Sequence, residues 1–230
     1  MTVLLVLTMV SIFLFIDYFN EKKKEQESLR STGLSPNAWR YLHDTGIAPN
    51  HTWLRPGPDG LVTLGIDHFL CGLVGSPDAI TLPRAGNRIG AKSGTIEILK
   101  DGKVLHLSPP IAGHVISVNT KLLKHPKGIG WDPYGAGWCL KILPEDPVIR
   151  NVFQIPTSIE WIRKQFDKAK EFLANKDAGD GILQPVFIQD GGLPIDGALT
   201  SFDQEVWREF EEEFLRCERT QELVRKEASS

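Results

Sequence analysis

Gly94-Thr-Ile-Glu-Ile-Leu-Lys-Asp-Gly-Lys-Val-Leu-His-Leu-Ser-Pro-Pro-Ile-Ala-Gly113 places two short runs of β-formers on either side of Asp101-Gly102. Asp-Gly readily takes the positive φ angles of a two-residue hairpin turn, so the stretch predicts a hairpin with its tip at Asp101-Gly102. A carboxylate and a residue without a side chain occupy the apex, and Lys100 and Lys103 flank it. What the tip can do chemically therefore falls to those two lysines.

Outward from the hairpin the same texture continues. Leu61–Ile66, Ala79–Leu82, Gly113–Val118 and Gly137–Leu143 are further short runs separated by glycine and proline. Regular short strands with frequent turn signals predict a β-barrel or sandwich over residues 51–146. Within it, Asn119–Lys124 reads as one helical turn, Gly128–Gly135 as an irregular loop, and Trp131 and Trp138 as packing anchors. Beyond Pro147 the pattern turns helical. Thr157 and Glu160 form a capping box ahead of Ile159, Ile162, Phe166, Ala169 and Leu173 at helical spacing. A last helix is expected to start at Ser201, capped with Gln204, with Val206, Phe210, Phe214 and Cys217 on one face and an acidic face from Glu205 to Glu213. Residues 147–230 are thus a helical C-terminal extension, and Phe210 and Phe214 are its candidate partner-binding residues.

At the other end, Thr2–Ile16 is apolar apart from two threonines and a serine, and Asp17-Tyr18-Phe19 leads into Glu21-Lys22-Lys23-Lys24. As a helix, residues 2–19 would extend roughly 27 Å, close to the hydrocarbon thickness of a bilayer. Basic residues do not precede the apolar run and no small-x-small site follows it, which argues against a cleaved leader. Interfacial aromatics and lysines after the run place the rest of the chain on the cytoplasmic side. The expected organisation is a transmembrane anchor over 1–20, a polar tether over 21–50, and a single-pass protein of the inner or cytoplasmic membrane.

Composition narrows the functional classes. The 230 residues carry a net charge of -3, which gives no support to nucleic-acid binding. Cys71, Cys139 and Cys217 lie far apart, without metal or redox spacing. His106, His114 and His125 have no carboxylate or thiolate at ligand spacing, so no metal is expected. Asp67-His68 and Cys71 would need a strand-turn-helix elbow to act as base and nucleophile, and the sequence offers none. No enzymatic activity of its own is expected.

Spread over residues 51–146, His51-Thr-Trp53, Val62-Thr-Leu-Gly65-Ile66, Gly75, Leu82-Pro83, Gly86, Pro110, Gly113, Val115, Val118-Asn119 and Asp132-Pro133-Tyr134-Gly135-x-Gly137-Trp138 resemble the glycine cleavage system H protein family. The resemblance implies a lipoyl-domain-like flattened β-barrel of two sheets followed by helix. It also implies a lysine at the hairpin tip, in a Glu-x-x-Lys pattern, that carries lipoate through an amide bond. Here the position falls on Gly102 and the glutamate position on Leu99. Gly94-x-x-Glu97-x-x-Lys100 restores the spacing if the hairpin slips by two residues, a shift that keeps every side chain on its own face. Two readings follow. In the first the domain carries no cofactor and serves as a structural or docking subunit of a cytoplasm-facing membrane complex, with other protein subunits as partners. In the second, covalent lipoate sits on Lys100 or Lys103 and the chain is a membrane-held carrier.

Overall fold

The computed structural model describes residues 45–90, 93–146, 159–177 and 196–216. The expected anchor, most of the tether, the cap at Thr157 and Cys217 lie outside them. Among the described residues no helix is long and apolar enough to cross a membrane.

The barrel consists of two antiparallel sheets. The larger runs in the order β1 (Gly46–Ile47), β2 (Thr52–Pro56), β3 (Val62–Ile66), β9 (Leu140–Pro144), β8 (Gly113–Val118) and β5 (Arg88–Ile89). The smaller comprises β4 (Ala79–Thr81), β6 (Ile96–Lys100) and β7 (Lys103–Leu107). Alternation decides what each strand buries. Ile96 and Ile98 face Leu107 and Leu105 across β6 and β7, and all four are buried. At the centre of the larger sheet Trp53 pairs with Gly65, and its indole lies where a Cβ on residue 65 would come within 2.4 Å of the ring. The indole N–H donates to the carbonyl of Pro133 at 2.9 Å, which fixes the Asp132–Trp138 loop beneath β2.

Short helices bridge the sheets. α1 (His68–Val74) begins at Asp67, whose carboxylate has two tasks: Oδ1 accepts from the Leu70 N–H at 3.0 Å, and Oδ2 lies 2.8 Å from Nδ1 of buried His51. Asp67 thus caps a helix and holds a histidine, rather than acting with its neighbour His68. Asn119 caps α2 (Thr120–Lys124). Gly128–Trp131, expected to be irregular, closes one helical turn, α3. Trp131 is not an anchor in the core: it is 80% exposed.

The C-terminal helices belong to the same core. α4 (Ile159–Asp177) buries Ile162, Phe166, Ala169 and Leu173, the stripe its spacing predicts. A 3₁₀ turn at Ala198–Ser201 leads into α5 (Gln204–Phe214). Asp203, not Ser201, caps α5, its carboxylate accepting from the Val206 N–H at 3.0 Å. The start moves because Ser201 is spent in the 3₁₀ turn. The buried stripe is therefore Trp207, Phe210 and Phe214, while Val206 is half-buried. Phe210 and Phe214 stack at 4.5 Å, Phe172 of α4 meets Phe214 edge-on at 5.7 Å, and Phe166 meets Phe69 of α1 at 4.9 Å. Part of the acidic face is taken up as well, Lys168 pairing with Glu213 and Lys176 with Glu209 between the two helices.

Candidate functional site: the tip of the β6–β7 hairpin

Asp101 and Gly102 have φ of 49° and 74°, the two positive values of a type I′ turn, whose twist suits the strands it joins. Pairing runs Ile96↔Leu107 through Lys100↔Lys103. The two-residue slip that the Glu97-x-x-Lys100 spacing would need is not taken. Gly102 holds the tip, with open space around its missing side chain.

Lys100 and Lys103 face each other across the hairpin, yet their ammonium groups go to different partners. Lys100 Nζ lies 3.1 Å from Asp101 Oδ1 and 3.5 Å from Asp78 Oδ1. Asp78 also takes the Asp101 N–H at 2.8 Å. That backbone donor, ahead of the Lys100 charge, lowers the Asp78 carboxyl below its ordinary value. The hydrogen bond to Asp101 in turn raises the Lys100 pKa. The tip is thus held from the β4 side by one carboxylate.

Lys103 is held from the other side. Its Nζ donates to the carbonyls of Thr200 and Phe202, at 2.5 and 2.8 Å, and lies 5.6 Å from the centre of the Trp207 ring. These carbonyls close the 3₁₀ turn, where a cation is favoured by the exposed C=O groups. The contact continues along β7, the edge strand of the small sheet. Gln204 behaves like a short piece of neighbouring strand: Oε1 accepts from the Val104 N–H at 2.9 Å and Nε2 donates to the Val104 carbonyl at 3.0 Å. Glu211 Oε1 accepts from the His106 N–H at 2.7 Å and lies 3.0 Å from His106 Nδ1. Residues 104 and 106 are those whose backbone groups point outward from an edge, and α5 satisfies them.

Two expectations about the site change accordingly. Phe210 and Phe214, read as a surface for a partner, are 0% and 5% exposed and pack within this chain, because the apolar face of α5 already has the aromatic cluster of α1 and α4 beneath it. Gln204, read as part of a capping box, spends its amide on β7. The histidines separate: His106 lies on the small sheet against Glu211, and His114 lies on β8 opposite Arg88 and Leu143. Among the described residues no group of three or more His, Cys, Asp or Glu is placed to hold a metal. Sequence reasoning missed Asp78, Thr200, Phe202 and Glu211, which act through contacts about 22 to 105 residues apart in the chain and leave no local pattern.

Comparison with known proteins covers the same β-rich region. The pattern described as "Glycine cleavage H-protein" matches residues 47–164. The glycine cleavage system H protein of Neisseria gonorrhoeae is 40% identical over 100 residues, covering 43% of this chain and 74% of that protein. That of Laribacter hongkongensis is 35% identical over 106 residues, covering 45% and 82%. A crystal structure of a glycine cleavage system H protein from Mycobacterium marinum aligns with 32% identity and a TM-score of 0.41, over 44% of this chain and 84% of that one. Thr200, Phe202, Gln204 and Glu211, the residues that cover the hairpin, lie beyond the end of the family match at residue 164. With its hairpin, two-sheet barrel and Asp132–Trp138 loop inside that match, the chain belongs to the glycine cleavage H-protein family.

Proposed function

We propose that this chain is a docking subunit built on an H-protein domain. Its hairpin tip has become a structural latch instead of a cofactor arm, and residues 2–19 hold it at the cytoplasmic face of a membrane complex. One observation carries the reading: the residue at the apex is Gly102, and the adjacent Lys103 is engaged by the Thr200 and Phe202 carbonyls. A carrier lysine must reach out from its turn, whereas releasing Lys103 would leave two carbonyls at the end of the 3₁₀ turn without their donor. The apolar run 2–19, followed by Lys22-Lys23-Lys24, supports the anchor and its orientation. Lipoate on Lys100 is the competing reading, favoured by Glu97-x-x-Lys100 and by the placement of Lys100 at the last position of β6.

Intact mass separates the two. The full chain, co-produced with a lipoyl ligase and lipoate, is expected to keep its unmodified mass. A Leu99→Glu/Gly102→Lys variant, which restores glutamate and lysine at the family positions, is expected to gain a lipoyl-sized increment and shows that the ligase reaches the tip. A lipoyl increment mapped to Lys100 or Lys103 in the parent chain would overturn the docking reading.

A further inference from the structure

The segment Thr120–Trp131 stands apart from the rest of the surface. Trp131 is 80% exposed and Leu123 42%, while Trp53 and Trp207 are fully buried. Around Leu123 and Trp131 in the segment are Lys121, Lys124, His125 and Lys127, all exposed, and Thr120–Trp131 contains no carboxylate. None of the three lysines is in an ion pair among the described residues. Asp78 faces Lys127 across this patch and Asp132 follows Trp131, so three lysines set against two carboxylates leave the surface around the two protruding apolar side chains positive, in a chain of net charge -3. Pro77, Asp78, Lys124, His125, Lys127 and Trp131 also line an open cavity of about 480 Å³, large enough for a polar headgroup. An indole beside lysines is the composition that settles at a bilayer interface, the ring at headgroup level and the ammonium groups among anionic phosphates.

Where the chain enters the fold singles out this face. Thr45 Oγ1 accepts from Arg55 Nε at 3.0 Å, and Arg55 Nη2 donates to the Tyr134 carbonyl at 2.9 Å. Thr45 is thus joined through one side chain to Tyr134, three positions after Trp131 in the Asp132–Trp138 loop. Residues 20–44 lie between the apolar run and that point, a span of at most about 90 Å when fully extended. A tether this short makes contact between the face and its own membrane an intramolecular event, so a weak surface is sufficient.

We propose that the Leu123–Trp131 face is a bilayer-contact surface that seats the domain on the anionic headgroups of the membrane to which residues 2–19 tether it. This rests on the anchored reading above. Seated in this way, the domain turns its exposed lysines and Trp131 toward lipid, and its remaining surface is presented in a fixed orientation to other subunits.

The test uses the full chain reconstituted in vesicles of phosphatidylcholine with about one-third phosphatidylglycerol, the composition an anionic leaflet calls for, or of phosphatidylcholine alone, each with and without brominated acyl chains. On anionic vesicles the bromines are expected to quench a component of tryptophan emission that is missing in Trp131→Phe. High salt, or a Lys121→Glu/Lys124→Glu/Lys127→Glu variant, is expected to remove that component while circular dichroism stays that of the parent. Equal quenching of parent and Trp131→Phe on anionic vesicles overturns the proposal and leaves the face to an acidic protein surface. Alkaline washing of neutral vesicles reads the anchor separately. Release of the chain there strikes at the tether, while a Trp131-dependent component on anionic vesicles would still establish the face.

Discussion

Lys103→Met, compared with Lys100→Met, tests whether the hairpin lysines are structural. Methionine keeps most of the aliphatic stem and its packing against Trp207 but cannot donate to the Thr200 and Phe202 carbonyls. A hydrogen bond to a charged donor contributes about 1.5–3 kcal/mol. Both bonds here are partly buried and share one ammonium, so water recovers some of the loss and a total of about 2–3 kcal/mol is expected, below the doubled value. For a chain of this size that lowers Tm by roughly 4–12 °C. The partners of Lys100 are exposed carboxylates, whose loss hardly registers in stability. Urea titrations of the two variants followed by tryptophan emission give the comparison at once, because Lys103 sits beside Trp207. Equal midpoints for Lys103→Met and the parent, with Lys100→Met also unchanged, would refute the latch and return Lys103 to the pool of free, modifiable amines.

Gly65→Ala should destabilise by about 3 kcal/mol or more and broaden the near-ultraviolet signal of Trp53, since the new methyl must displace a buried indole. Gly72→Ala, in α1 with nothing within 4 Å of the added Cβ, should instead raise stability by about 0.5–1 kcal/mol. Burial pushes the Cys139 thiol from its ordinary 9.0 up to about 12 and raises Cys71 as well. The folded form therefore keeps protons that the unfolded form releases, stability falls as pH rises from about 9 toward 12, and peptide mapping after iodoacetamide at pH 8 should find both thiols unmodified until the chain is unfolded. At the acid end the signs reverse. The backbone donor of Asp101 lowers Asp78, and the Arg88 guanidinium lowers Glu145, from ordinary values of 3.8 and 4.5. Their stabilisation is present above those values and is lost as pH falls through the lowered ones, so a thermal scan of Asp78→Asn/Glu145→Gln should show a shallower decline below pH 4.5 than the parent.

The hairpin was legible because its information is local: Asp-Gly fixes the turn, and alternation of Ile96, Ile98, Leu105 and Leu107 fixes the face. The stripe of α4 was legible for the same reason. What escaped were elements too short to show a period, such as β5 with two residues and α1 with seven, and contacts decided by partners far along the chain. Ser201-x-x-Gln204 carries the letters of a capping box, but Gln204 finds two backbone groups of Val104 to satisfy, and Asp203 takes over as cap. The apolar face of α5 could be read from sequence, whereas its occupant could not: a stripe is equally apolar whether another protein or the chain's own Phe69, Phe166 and Phe172 lies beneath it. Trp131 is the converse case, an aromatic residue beside glycine and proline that composition assigns to the interior and geometry leaves outside.

The seal along β7 also has a timing. His106 and Glu211 are 105 residues apart, so the helix that closes the edge is among the last parts of the described fold to be synthesised. At ordinary elongation rates the hairpin waits about 5–20 s for it. During that interval the nascent barrel presents a bare strand edge and two uncommitted lysines to whatever ligase or chaperone stands at the ribosome exit, and completion of the C-terminal helix ends that exposure.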